Sequence, residues 1–105
     1  MNLPYPEEEP TGFAHESGTI DATAGGVALT AATYNPTNDI GARRALLSLE
    51  TAQIRYTTDG TAPTSTVGHI MEVGDVVAIT GPDIAKWRGF RTGATSGTLK
   101  ATYER

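Results

Sequence analysis

Cysteine is absent from the 105 residues of this chain, which excludes a disulfide framework, a thiolate zinc site and a cysteine nucleophile. No apolar run approaches the roughly 18 residues of a membrane-spanning helix. The first residues contain neither the basic nor the apolar region of a secretion signal. We therefore expect a soluble protein that folds without disulfide bonds, has no membrane partner and carries no secretion signal of its own.

Basic residues are absent from the first 42 positions, which carry six acidic residues, whereas the remaining 63 positions carry eight basic and six acidic residues. The overall net charge of −4 argues against a nucleic-acid partner, because such proteins normally present a basic surface. The uneven distribution favours head-to-tail association, in which the acidic end of one subunit meets the basic end of the next.

The first 17 residues have the composition of an extended arm rather than of a folded element. Three prolines surround three consecutive glutamates, and proline removes amide donors and resists both helix and central strand. The apolar residues among them favour an arm that lies across another surface. The expected partner-binding residues of the arm are Leu3, Tyr5, Glu7, Glu8, Glu9 and Phe13.

Residues 18–105 are expected to form one all-β domain, a β-sandwich of about eight short antiparallel strands in a Greek-key or jelly-roll-like arrangement. Twelve glycines and 17 threonines in the chain favour turns and strands, and turn residues recur at the spacing typical of sandwiches. The expected strands cover residues 19–23, 27–34, 42–51, 52–58, 69–71, 76–80, 87–92 and 98–103.

One of these segments has sequence features of both a helix and a strand. Residues 42–51 have good helix propensity, yet their apolar residues also alternate, and we favour a strand. Residues 72–75 are expected to close a hairpin between two of the strands. Gly81-Pro82-Asp83 is expected to end a strand and to start a single helical turn.

Asp59 and Gly60 are expected to define a tight turn after the strand at residues 52–58. Aspartate accepts backbone amides in turns, glycine adopts a positive φ without steric cost, and Pro63 ends strand pairing. We interpret all three as turn-defining residues, and Asp59 as neither a ligand nor a catalytic acid.

The segment from Ile54 to Thr64, Ile-Arg-Tyr-Thr-Thr-Asp-Gly-Thr-Ala-Pro-Thr, resembles the hairpin of sandwich domains found at the C-terminus of chitobiase and β-hexosaminidase. A similar string occurs in small structural proteins of tailed bacteriophages, where a hydrophobic-x-x-Gly-Asp turn and a closing pair of strands follow it. The resemblance covers about residue 42 to the C-terminus and implies a sandwich fold. It is a weak guide to function, since such sandwiches serve many roles.

A catalytic constellation is not recognisable in the sequence. His15 and His69 lie far apart without a thiol, whereas zinc normally takes three or four nitrogen or sulfur ligands. No nucleophile elbow and no phosphate loop occur. We therefore expect no enzyme activity, no metal and no cofactor.

Residues 86–91 combine three basic and two aromatic side chains. In a strand, Lys86, Arg88 and Phe90 would share one face, and Trp87 and Arg91 the other. Trp87 either fills the core or, with Tyr56 or Tyr103, forms a platform that stacks on a sugar ring. The expected partners of the arm's glutamates are Arg88 and Arg91. Arg43-Arg44, directly after a loop, is either a contact for phosphate or a capsid partner or, as is more common for such a pair, a solvated strand start.

The resemblance, the absence of recognisable chemistry and the arm together favour a non-enzymatic structural protein of a phage particle, located in the virion and assembled in the host cytoplasm. It would be a homo-oligomeric decoration or cement subunit on the major capsid protein, or a neck or tail subunit. The alternative is a carbohydrate-binding accessory module, in which a glycan is the partner.

Overall fold

The structure, a computed structural model, describes residues 11–36 and 41–105. This part of the chain contains eight strands and two short helices. The strands are β1 (Gly12–Ile20), β2 (Val27–Ala28), β3 (Arg44–Glu50), β4 (Ile54–Thr57), β5 (His69–Met71), β6 (Val76–Thr80), β7 (Arg88–Arg91) and β8 (Gly97–Glu104), and the helices are α1 (Ala31–Tyr34) and α2 (Asp83–Lys86).

The strands form two antiparallel sheets of four, with the order β1-β8-β3-β6 in sheet A and β2-β7-β4-β5 in sheet B. Strand β1 pairs with β8, β2 with β7, β3 with β6 and β4 with β5. The first strand therefore pairs with the last, the second with the second to last, and so on inward along the chain. This pairing of strands in two packed sheets is the jelly-roll fold. The predicted all-β sandwich of about eight strands is confirmed.

Alternating side chains place the core between the two sheets. In β3, Ala45, Leu47 and Leu49 are buried, whereas the residues between them are partly exposed. Strand β8 buries Leu99 and Ala101 in the same way. Because side chains alternate across a strand, the choice of strand over helix for residues 42–51 is confirmed.

Trp87 occupies the centre of the core. Its side chain has no exposed surface, and its ring stacks on Tyr56 with 6.2 Å between centroids and 18° between planes. A side chain at Gly89 would come within 2.6 Å of the Trp87 ring, so glycine is required where β7 passes the indole. Of the two alternatives for Trp87, the structure confirms that it fills the core.

Strand β1 corrects the predicted boundary between arm and sandwich. Residues 12–17 belong to sheet A, because β1 pairs with β8 from Gly12 to Ile20. Phe13 is the extra residue of a β-bulge in this pairing, packs against the core and lies 4.1 Å from the Arg105 guanidinium. Phe13 thus contacts its own domain and is partly buried, and its role in partner binding stays a prediction.

Two further expectations are corrected by the topology. Residues 27–34 form the two-residue strand β2 followed by α1, not one strand. Residues 72–75 do not close a hairpin, since β5 pairs with β4 in sheet B and β6 pairs with β3 in sheet A. The turn signals were correct, but the chain uses this turn to cross between sheets.

Candidate interaction surface

Exposed apolar side chains are concentrated on the side of the sandwich where β5 and β6 are the edge strands of the two sheets. We call this region the β5–β6 side. Within the described ranges, the exposed large apolar residues all fall between positions 67 and 76: Val67 (43% exposed), Ile70 (40%), Val73 (55%) and Val76 (67%). Ile70 lies on the outer face of sheet B and Val76 on the outer face of sheet A, so these residues flank the β5–β6 side from both sheets. Exposed apolar residues at the edge of a sandwich are typical of an interaction site.

The outer face of sheet B continues this surface. Ile70 of β5, Arg55 of β4 and Phe90 of β7 are neighbours across three strands, so their side chains lie on one face in a row. Arg55 donates hydrogen bonds to the carbonyl oxygens of Ser65 at 3.0 Å and Gly68 at 2.8 Å. These bonds hold the Arg55 guanidinium against the connection between β4 and β5.

Arg88 and Arg91 do not form one basic site. They are three positions apart in β7 and therefore lie on opposite faces of the sheet. Arg88 donates to the carbonyl oxygens of Ala85 and Trp87, whereas Arg91 donates to the Ser96 hydroxyl. The pairing of Arg88 and Arg91 with the arm's glutamates would therefore use both faces of the sheet, and it stays a prediction because those glutamates lie outside the described residues.

A sugar-stacking platform is not formed by the residues proposed for it. Trp87 and Tyr103 have no exposed surface, and Tyr56 is packed against the core. Stacking on a sugar needs an open aromatic face. This correction removes the feature on which the carbohydrate-binding alternative rested.

The connection between β4 and β5 carries a shallow cleft of about 370 Å³, lined by Thr57, Thr58, Asp59, Thr61, Gly68 and His69. The Thr61 amide donates to Asp59 Oδ1 at 3.0 Å, and this bond lowers the pKa of the Asp59 carboxyl. Gly60 has a φ of +93°, and the Pro63 ring is buried. These contacts stabilise the loop itself.

Glu16 holds a polar network that the sequence did not indicate. Its carboxylate accepts hydrogen bonds from the Tyr103 hydroxyl at 2.5 Å, the Thr30 amide at 3.1 Å and the Thr30 hydroxyl at 2.7 Å. It therefore ties β1 to β8 and to the residue that precedes α1. The signal was hidden because Glu16 falls in the segment interpreted as an acidic arm.

Tyr103 is predicted to make the fold sensitive to alkaline pH. Burial and the nearby Glu16 carboxylate raise the pKa of the Tyr103 hydroxyl far above its ordinary value. The unfolded chain loses this proton near pH 10 while the folded chain keeps it. The stabilisation is thus complete below about pH 10 and falls above it by up to about 1.4 kcal/mol per pH unit.

Urea unfolding of the wild type and Tyr103→Phe between pH 8 and pH 11 measures this dependence. The variant is expected to lose less stability than the wild type above pH 10. Parallel profiles would show that Tyr103 ionises in the folded state.

Several predicted residues lie outside the described residues: Leu3, Tyr5, Glu7, Glu8 and Glu9. The structure therefore does not test their role. Within the described ranges, no cluster of three or more histidine or acidic side chains could hold a metal ion. No helix in that part of the chain is long and apolar enough to cross a bilayer.

No known protein family, curated protein or solved structure matches this chain. The observation that bears on function is therefore the exposed apolar surface of the β5–β6 side.

Proposed function

We propose that this chain is a non-enzymatic structural subunit of a phage particle, most simply a capsid decoration or cement protein, with a neck or tail position as the nearest variant. In this proposal it resides in the virion. It binds copies of itself and the major capsid, neck or tail protein.

The observation that carries the proposal is the concentration of exposed apolar residues on the β5–β6 side. Burying an apolar surface contributes about 25 cal/mol per Å², so a partner that covers the β5–β6 side gains stability from each of these side chains that it buries. The fixed Arg55 guanidinium adds a polar group that favours one orientation of the partner.

The jelly-roll fold is compatible with an assembly role and with a lectin-like role. A jelly roll is a rigid scaffold that occurs in viral capsid proteins as well as in lectins, so the fold alone does not choose between them. The burial of Trp87 and Tyr103 disfavours the lectin-like alternative. In a symmetric shell, many weak contacts combine through avidity.

Co-sedimentation with empty heads of the phage that encodes the chain tests the proposal. We expect the wild-type protein to pellet with the heads and Ile70→Lys to lose at least tenfold in apparent affinity, because the new charge would be buried in the contact. Ser17→Lys, an exposed change on β1, is the matched control and should pellet like the wild type.

Two results would contradict the proposal. If the wild type binds oligosaccharides saturably but does not pellet with heads, the structural role is wrong and the accessory-module alternative is correct. Equal losses in Ile70→Lys and Ser17→Lys would show that the β5–β6 side is not the contact.

A further inference from the structure

Within the described residues, strand β6 is an edge strand that lacks charged and proline residues as protection against pairing. It is the terminal strand of sheet A and reads Val-Val-Ala-Ile-Thr, with no proline and no charged residue. Edge strands of stable monomers are normally protected by charges, prolines, bulges or a covering segment. The five residues also pair with β3 in regular register, so no bulge turns this edge away.

The hydrogen-bond pattern shows which backbone groups of β6 remain available. The Gly81 amide donates to the Arg43 carbonyl, and the Leu49 amide donates to the Asp75 carbonyl. Antiparallel bonding alternates along a strand, so the odd-numbered residues of β6 bond to β3. The even-numbered residues point their amides and carbonyls away from the sheet: Val76, Ala78 and Thr80.

The side chains of β6 alternate between the outer face of sheet A and the core. Val76, Ala78 and Thr80 are all exposed, whereas Ile79 is buried. Among the described residues outside β3, none makes a backbone hydrogen bond to β6 along this edge. The edge is therefore a ready template for another strand.

We propose that β6 pairs with β6 of a second copy of this chain, antiparallel and across a two-fold axis at Ala78, so that two sheets A become one eight-stranded sheet. Ala78 then faces Ala78 of the second copy, and Val76 faces Thr80. All free amides and carbonyls of the edge find partners in this register. The proposal rests on the proposed structural role and names one partner of the β5–β6 side.

Charge complementarity supports a second copy as the occupant. The exposed residue Asp75 precedes β6 at one end, and the exposed residue Arg43 flanks its other end through the bond to Gly81. The two-fold axis places Asp75 opposite Gly81 of the second copy, about 10 Å, or two strand spacings, from Arg43. Opposite charges thus meet twice, once on each side of the axis, and attract within a Debye length.

Single-cysteine variants test this register directly, since the natural chain has no cysteine. Facing residues in a hydrogen-bonded antiparallel pair have Cα atoms about 5.5 Å apart, which suits a disulfide. We expect full-length Ala78→Cys to oxidise to a covalent dimer of twice 11.0 kDa. Ser17→Cys, on the other edge strand of sheet A, should stay monomeric.

Hydrogen exchange of the wild-type chain gives a second readout that needs no variant. The amides of Val77 and Ile79 should be protected at every concentration because they bond to β3. The amides of Val76, Ala78 and Thr80 should gain at least tenfold protection as the concentration rises and the mass doubles.

Three results would overturn the pairing: Ala78→Cys that remains monomeric, equal cross-linking of the two cysteine variants, or protection of the even amides without cross-linking at Ala78, which would place a different segment on the edge. These measurements use the purified chain alone. They are therefore independent of head binding, and a dimer that does not bind heads would contradict only the proposed function.

Discussion

Trp87→Ala is expected to lower the free energy of unfolding by about 3–5 kcal/mol, the usual effect of truncating a buried tryptophan. The indole is completely buried and stacked on Tyr56, so its removal leaves a cavity between the sheets. Domains of this size have only about 5–15 kcal/mol of stability. Thermal unfolding should therefore shift down by more than about 10 °C.

Trp87→Phe is the matched control for this prediction. The Trp87 Nε1 atom is buried and has no hydrogen-bond partner among the described residues. Phenylalanine keeps much of the ring contact and removes that unsatisfied donor, so we expect a loss of only about 1–2 kcal/mol. If Trp87→Ala instead unfolds like the wild type, the indole is at the surface and the sugar-binding alternative regains its platform.

Glu16→Ala is expected to cost about 2–3 kcal/mol, although the residue is only half-buried. The change leaves the Tyr103 hydroxyl and both donors of Thr30 without their acceptor, and hydrogen bonds to a carboxylate contribute about 1.5–3 kcal/mol. Because the network joins β1 to β8 and to α1, the loss should also increase hydrogen exchange in β1. Chemical denaturation with two-state analysis measures the effect.

Glu16→Gln distinguishes the contribution of the hydrogen bonds that Glu16 accepts from the contribution of its negative charge. Its side-chain oxygen can still accept from Tyr103, so we expect less than half of the loss seen with alanine. A wild-type-like Glu16→Ala would mean that water replaces the carboxylate and that β1 is held by its backbone pairing alone.

The alternation of apolar residues predicted the strands that face the core on one side only. Ala45, Leu47 and Leu49 are buried in turn, and the same pattern located β8. Such strands are readable because one face must be apolar and the other must not. The fold class therefore followed from the sequence.

Strand β1 was missed for a physical reason. Its residues, Gly-Phe-Ala-His-Glu-Ser-Gly-Thr-Ile, do not alternate cleanly, because Glu16 points a carboxylate between the sheets and Phe13 sits in a bulge. What stabilises this strand is backbone pairing with β8 and the Glu16 network, which are long-range contacts. Local sequence patterns carry no signal for either of them.

The β5–β6 side could not be predicted from local sequence patterns either. The sequence predicted β5 and β6 but joined them in a hairpin, which would have paired their edges with each other. In the jelly roll they belong to different sheets, and each is the terminal strand of its sheet among the described residues. Which strands lie at an edge is a property of the complete topology, and local sequence patterns do not report it.

The most direct test of the central claim is an electron cryo-microscopy map of the purified phage particle. The account predicts symmetric copies of this jelly roll on the particle, each with Val67, Ile70, Val73 and Val76 buried against a neighbouring subunit. A particle that lacks the chain, or one in which these four residues face solvent, would contradict it.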